Sequence, residues 1–569
     1  MFQQLGPSFY RDPVTGADVT TRTPGHAATG PAGSIPTCGT PGNIIPNCTP
    51  LDVFGHSNAN LGTLTGPVND VTVQDLNELT FNINGDLFKL PAGMVAGSVG
   101  FEYRSTHLAF TPDVLQQEFK LSESNQQSTN GGYNAREYYA EVQVPVLANL
   151  PGAKSLSFNL GGRYSDFSSF GSHTTGKYAM EYRPYNDLML RATYADTFRA
   201  PNVSELFGGA AQSSPVYSDP CTGLTTADVA KHPKACNGVV GGTLQPDGSI
   251  TGAASQPDAQ GTVTTITNPK LKPEHGYSTD FGFVFNPSFY KPLSITVDYW
   301  HYTLKDGITS VTLPNALQLC FNSEVSGGPV SAYCGNNEVN GQPYFTRANF
   351  GSAGSPQTAI VNGSLPLLNS FSFYVTGWDY STKLSYPKVH VGGMSLGNFE
   401  TGFDLTYVDK YVLTTFDPTT GAVVSQNSVA GTFDPATIIS MPRLKGLAYL
   451  FWSQGPWSAT LEDRYTSNIT SGDATRGGAA HPASLTGSGC YHANNGDGAS
   501  CYRPGAASYV DISGSYTVKP INTTFTIGIN DLFDDGIHQT FSGTYSGAPN
   551  PVYDVRGRNF YGKFSVRFK

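Results

Sequence analysis

Phe560-Tyr-Gly-Lys-Phe-Ser-Val-Arg-Phe-Lys569, the last ten residues of the chain, sets the reading of everything before it. Phe560, Gly562, Phe564, Val566 and Phe568 fall on one face of an extended strand. Tyr561, Lys563, Ser565, Arg567 and Lys569 fall on the other, because strand side chains alternate with period two. Residues 521–530 repeat the pattern, with Ile521, Thr523, Phe525, Ile527 and Ile529 on one side. So do 155–164 and 188–195, where Arg191 sits on the polar side of its strand. One apolar and one polar face per strand, repeated along the chain, predicts an antiparallel all-β protein.

The composition narrows the class. Charged residues make up 13% of the 569, about half of what a soluble globular protein carries. Apolar residues stand at 38%, with 64 Gly, 31 Tyr and 33 Phe, the profile of a turn-rich β protein or a membrane barrel. A net charge of −10 argues against a nucleic-acid partner, which needs a basic footprint. No apolar run is long enough for a transmembrane helix, and barrel strands of about 9–11 residues escape that test. Met1-Phe2-Gln3-Gln4 has neither the basic start nor the apolar core of a secretory signal.

Connections between the predicted strands come in two kinds. Tight turns stand at Leu90-Pro-Ala-Gly93, Pro184-Tyr-Asn-Asp187, 286–292, Gln454-Gly-Pro456 and Lys519-Pro520. Long polar stretches stand at 111–132, 199–276, 305–370, 416–436, 469–506 and 532–555. Short turns on one side and long loops on the other is the asymmetry of an outer-membrane barrel, turns periplasmic and loops outside. The eight cysteines fall into four neighbouring couples, Cys38/Cys48, Cys221/Cys236, Cys320/Cys334 and Cys490/Cys501, all in loop-like sequence. They are disulfide candidates, one per loop, as an oxidising compartment allows, and no couple has zinc-knuckle spacing.

Counting alternating segments from residues 69–89 to 556–568 gives 15 strands. Single-chain bacterial barrels have an even number, so the expectation is a barrel with at least one strand upstream of this sequence. Residues 1–68 then read as the remnant of an extracellular loop holding the first cysteine couple, and 69–569 as the barrel fragment.

Four segments, in order, resemble TonB-dependent outer-membrane receptors. Tyr194-Ala-Asp-Thr-Phe-Arg-Ala-Pro-Asn-Val-Ser-Glu-Leu-Phe207 is similar to the family's mid-barrel run, with Phe198, Arg199 and Pro201 at its matched positions. Asn268-Pro-Lys-Leu-Lys-Pro-Glu274 looks like its NPxLKPE segment, matching at Asn268, Pro269, Leu271, Pro273 and Glu274. Asn530-Asp-Leu-Phe-Asp534 resembles the run before the last hairpin, and Tyr553-Asp-Val-Arg-Gly-Arg558 the entry to the final strand, with Arg556 and Phe568 as matched positions. The hairpin around Leu87-Phe-Lys-Leu-Pro-Ala-Gly93 extends the likeness upstream. The resemblance implies a transmembrane antiparallel barrel of about 22 strands, of which this chain would supply the last 15.

It also implies a receptor of the Gram-negative outer membrane that takes up a scarce solute: a siderophore, a carbohydrate, haem or a cobalamin. Energy would come from the TonB system through a plug that should precede these residues. Implied partners are outer-membrane lipid, the extracellular solute, TonB and the barrel-assembly machinery. The chain departs from the pattern in ending Phe568-Lys569, with the aromatic residue penultimate.

No enzyme is expected, and no catalytic, cofactor or metal residue is assigned. Gly557-x-x-x-x-Gly562-Lys563 imitates a phosphate loop but continues with Phe564 in a strand. His275, His301, His481 and His492 form no metal motif. Arg199 is expected to pair with a lumen carboxylate or to meet the plug, Pro201 to end its strand, and Pro269 and Pro273 to punctuate the loop's re-entry into a strand. Tyr217, Tyr333 and Tyr344 suit either a ligand site or packing. The alternative function is a passive porin of the outer membrane. A chain of 15 strands alone is expected to leave two open edges and to misassemble.

Overall fold

A computed structural model describes residues 8–15, 17–20, 31–32, 35–40, 43–44, 67–121, 125–257, 260–325, 329–352, 354–417, 421–434, 439–471, 505–536 and 552–568. Its dominant element is one antiparallel sheet in which each strand pairs with its neighbours in sequence. The strands are β1 (Val71–Leu90), β2 (Gly93–Thr111), β3 (Thr129–Leu150), β4 (Ala153–Phe167) and β5 (Gly171–Tyr185). They continue as β6 (Leu188–Arg199), β7 (Glu274–Phe285), β8 (Leu293–Thr309), β9 (Leu368–Val391) and β10 (Met394–Phe416). The wall ends with β11 (Leu444–Gln454), β12 (Trp457–Thr466), β13 (Ala507–Val518), β14 (Thr523–Asn530) and β15 (Asn559–Val566). These are the strands that the alternation marks. Among the described residues, β1 and β15 each carry a ladder on one side only.

The register sorts the side chains onto two faces. One continuous row runs Asn82, Gly100, Tyr139, Arg163 across β1 to β4, and another Arg191, Gly282, Asp298, Asp379, Thr406, Lys445 across β6 to β11. This face is polar. The opposite face carries Leu79, Phe81 and Ile83 of β1, exposed by 63%, 61% and 57%, and Phe564 of β15, exposed by 72%. Such a surface wants hydrocarbon, not water. Arg191 therefore lies where the alternation puts it.

Several strands run far past the length of a bilayer crossing: β9 has 24 residues, β10 23 and β3 22, about twice the 9–11 required. The long connections rise from one end of the sheet. The other end has the tight turns. One connection departs from the alternation of short and long, since Ser168–Phe170 joins β4 to β5 on the long-loop side with three residues.

Three expectations change. The segment near 438–453 is two strands, because Ile439–Met441 leaves the wall to pair with Thr432–Asp434. Val423–Ser428 adds a strand inside the 416–436 stretch by folding back on β10. The stretches 199–276 and 305–370, expected to be plain polar loops, fold together. Ala211–Ser213, Val263–Ile266, Ser355–Pro366 and Phe345–Ser352 form a separate four-stranded sheet, in that order. Val263–Ile266 pairs in parallel with Gly363–Pro366, so the two loops are one unit. Ser8–Arg11, Ile35–Thr40 and Asn43–Ile44 make a small three-stranded sheet.

Candidate functional site

The site is a polar wall roofed by folded loops. Within the wall, arginines hold carboxylates across strands. Arg163 of β4 contacts Glu137 of β3 at 2.7 Å and Glu102 of β2 at 2.6 Å. Arg191 of β6 grips Asp298 of β8 with both its Nε and Nη2, and Arg464 of β12 bonds Asp511 of β13 at 2.6 Å. Arg464 also reaches Asp554 of the 552–558 segment at 3.3 Å, while Asp554 accepts from Arg556. Charge-assisted pairs of this kind satisfy groups that would otherwise be stranded away from bulk water.

Two glycines make these crossings possible. Gly282 stands between Arg191 and Asp298 in the row, and a Cβ there would lie 1.9 Å from Asp298 Oδ1. Gly100 stands between Asn82 and Tyr139, where a Cβ would meet the Tyr139 ring at 2.2 Å. Tyr139 uses that gap to bond Asn82. Gly282→Ala should therefore break the Arg191–Asp298 pair and leave Asp298 directly opposite Asp379. Since Arg191 is partly exposed, the loss should be modest, about 1–2 kcal/mol. Chemical denaturation of the folded protein checks it, and an unchanged midpoint would show that the pair contributes nothing.

Near the loop end of the wall a cavity of about 720 Å³ is bounded by Asp298, Asp379, Asp404, Lys445, Arg464 and Asp554, with Tyr553 and Tyr509 alongside. Thr406 donates to Asp379 at 2.7 Å. The chemistry available there is ionic and hydrogen-bonding.

The matched motif positions come together at the base of the roof. Arg199 at the end of β6 bonds Glu274 at the start of β7 at 2.5 Å and 2.7 Å, and Glu205 at 2.9 Å and 3.0 Å. Glu205 also caps the short Val203–Phe207 helix by accepting from Asn202, and its carbonyl accepts from Asn268. Glu274 takes a further bond from the Ile308 amide at 2.7 Å. Asn268 donates to the Leu367 carbonyl, Leu271 is buried, and Lys272 donates its amide to Asn369. Pro201 is buried, and Phe198 packs against Phe167 and His173. Pro269 and Pro273 flank this stapled turn. The expected partner of Arg199, a carboxylate of the wall, is thus Glu274. Arg556 lies beside the cavity, and Phe568 lies beyond β15, largely exposed.

The roof has its own core, built on Tyr217, Cys221, Cys236, Leu313, Leu317, Cys320, Tyr333 and Tyr344. Cys221–Cys236 and Cys320–Cys334 are disulfides. Cys38 is also disulfide-bonded, while Cys48, Cys490 and Cys501 lie outside the described residues, as do His481 and His492. Tyr217, Tyr333 and Tyr344 are at most 4% exposed, so packing, not ligand contact, explains them. Burial pushes the Tyr344 phenol up to about 12, with Glu338 and Asp417 adding to the effect. Asp219 and Arg347 form a buried ion pair at 2.7 Å between the two loops. Further loops are tied in: Ser331 donates to Asp417 at 3.0 Å, and Asn125 to Gln212 at 2.5 Å.

His275 lies against His173 with the rings tilted, and His301 bonds Thr303, so neither joins a ligand set among the described residues. Among the described residues the single cluster with metal-ligand spacing is Cys320, Glu324 and Cys334, whose sulfurs are spent in a disulfide.

The model of the family described as "TonB dependent receptor-like, beta-barrel" matches residues 26–532. The chain belongs to that family. This places the TonB-dependent barrel in the outer membrane of a Gram-negative bacterium, with short turns periplasmic and the roof outside. No curated protein sequence matches the chain. Among solved structures it is similar to a variant of the ferric enterobactin receptor of Pseudomonas aeruginosa in complex with enterobactin. That likeness has a TM-score of 0.51 and 15% identity, and covers 87% of this chain and 54% of that one. The siderophore receptor of Acinetobacter baumannii gives a TM-score of 0.50 and 14% identity, over 87% of this chain and 55% of that one. At such identities the likeness shows the fold. This TonB-dependent barrel spans about half the length of the structures it matches.

Proposed function

We propose that this TonB-dependent barrel forms the wall and outer mouth of a receptor that captures a scarce extracellular solute and imports it with energy from the TonB system. The observation that carries the reading is the roofed polar wall on a chain whose family match covers residues 26–532. Long loops on a rigid scaffold are the usual place for recognition. Here they are stiffened by two disulfides and a buried ion pair. The solved relatives are named for siderophores, which puts ferric siderophores first among the candidate solutes. Residues 1–68 are read as part of the extracellular face. No catalytic role is assigned to the chain.

The test is uptake of labelled ferric siderophores by cells that carry the intact gene, compared with cells lacking it. Uptake should depend on the gene and should stop when a protonophore collapses the inner-membrane gradient. Gene-dependent entry that persists with the protonophore would instead establish a passive porin.

A further inference from the structure

On the polar wall most cations are matched by acids, Lys445 being an exception among the described residues. Arg163, Arg191, Arg199, Lys383 and Arg464 each meet a carboxylate within ion-pair distance. At the periplasmic turns the pattern reverses. Lys89, Lys154, Arg183, Lys291, Lys388 and Lys519 stand one beside each of six turns, the turn at 455–456 having none. None of the six has a carboxylate within ion-pair distance among the described residues. Lys154 bonds Asn149, and Arg183, on the polar face of its strand, contacts Met189, both partners uncharged. The acids next in sequence to Lys89 and Arg183 are Asp86, Glu181 and Asp187, and Asp187 is already committed to the Ser288 amide and hydroxyl. A rim of unpaired cations is unexpected on a chain of net charge −10.

The same turns expose apolar side chains. Phe289 is 84% exposed, Met394 67% and Val391 63%, with Ile521 above half. Phe289 and Tyr290 directly precede Lys291, and Ile521 follows Lys519 by two positions. The hairpin around Gly392 and Gly393 projects past its neighbours, since β8 pairs with β9 only as far as Leu384 and β11 with β10 only as far as Asn398.

We propose that this periplasmic rim is a binding belt for anionic phospholipid headgroups of the inner leaflet, Lys154 on the outward face and Lys291 and Lys519 in their turns taking the phosphates and the adjacent aromatic and aliphatic residues entering the acyl boundary. An acidic soluble protein would satisfy the cations alone. A bilayer satisfies both kinds of side chain at once, because its headgroups carry the charge and its boundary the hydrocarbon. The belt would fix the depth at which the wall sits and hold the periplasmic mouth in register with the leaflet. The inference does not depend on which solute is carried or on how import is energised.

The experiment uses the intact protein extracted from its outer membrane and reconstituted in phosphatidylcholine vesicles with or without phosphatidylglycerol. Spin-labelled lipids report which headgroup occupies the protein boundary. Wild type should favour phosphatidylglycerol over phosphatidylcholine. The triple variant K154Q/K291Q/K519Q should lose at least about tenfold of that preference, each surface cation contributing about fivefold. The corresponding triple arginine variant should keep it, which separates charge from folding. A heat-dependent gel shift confirms that each variant is folded. Equal boundary occupancy of the two lipids by wild type would overturn the proposal, as would a preference untouched by the glutamine variant. Charge-dependent capture of a soluble polyglutamate without any lipid preference would overturn it too, in favour of an acidic protein partner.

Discussion

Arg347→Met is expected to unfold the extracellular roof while leaving the strand wall intact. Arg347 is 6% exposed and Asp219 not at all, and two guanidinium nitrogens contact the carboxylate at 2.7 Å and 2.8 Å. Arg347 also donates to the Ala235 carbonyl and lies over the Phe345 ring at 5.0 Å. Methionine keeps much of the side-chain volume but strands the Asp219 charge in the core between both loops. Removing one member of a buried pair costs about 3–5 kcal/mol, chiefly through the uncompensated partner. The double variant Asp219→Leu/Arg347→Met should recover most of that loss, since no charge is left behind. Hydrogen exchange over residues 211–266 and 313–366, against that of β2 to β6 as an internal reference, reads both effects. Wild-type protection of the roof in Arg347→Met would show that the pair does not hold it.

The second large effect concerns the disulfides. Cys221–Cys236 and Cys320–Cys334 close loops of 15 and 14 residues, and their sulfurs lie in the roof's core. Chain entropy alone assigns about 3 kcal/mol to a loop of this size. Replacing each couple by alanine should therefore lower roof stability by about 3 kcal/mol, and removing both should abolish its independent order. Limited proteolysis in urea is the measurement. The roof should be cut at lower urea in either pair variant and without urea in the quadruple variant, the wall remaining resistant. Indifference of the roof to both replacements would assign its stability to the apolar core instead.

Much of the wall was legible because a barrel strand writes its two environments into alternate residues. Val71–Leu90 shows this: odd positions from Leu79 to Ile83 are apolar and even positions from Glu78 to Asn84 are polar. The motif positions were legible as a set, yet not what they do. Arg199 and Glu274 are 75 positions apart, and nothing in the spacing says that a guanidinium and a carboxylate will meet. Once β6 and β7 are placed side by side, their pairing is the first rung of the ladder. The glycines Gly100 and Gly282 carried no signal in one dimension, since their use is to let a side chain from the next strand pass.

The roof was the least readable part. Its apolar residues follow no period, because short strands, 3₁₀ turns and an 11-residue helix contribute to one core from loops about a hundred residues apart. Leu313, Leu317 and Cys320 do fall on one side of that helix, which is the signal a closer look at spacing would have used. Ile439–Met441 was mistaken for the start of β11 because the sequence runs on in strand-like residues. Met441-Pro442-Arg443 interrupts it, and Pro442 cannot donate to a ladder.

The parallel pairing of Val263–Ile266 with Gly363–Pro366 predicts an order of events during biogenesis. Each wall strand pairs with a neighbour in sequence, many across tight turns, and each disulfide closes a short loop, so much of this needs only local search. The parallel ladder joins segments a hundred residues apart, with the β7–β8 hairpin between them. Its loop-closure cost predicts that it forms after that hairpin has seated and both loops have crossed to the outside. A newly inserted barrel should therefore pass through a stage with a finished wall, oxidised cysteines and an unroofed mouth, during which its lumen is open to the exterior.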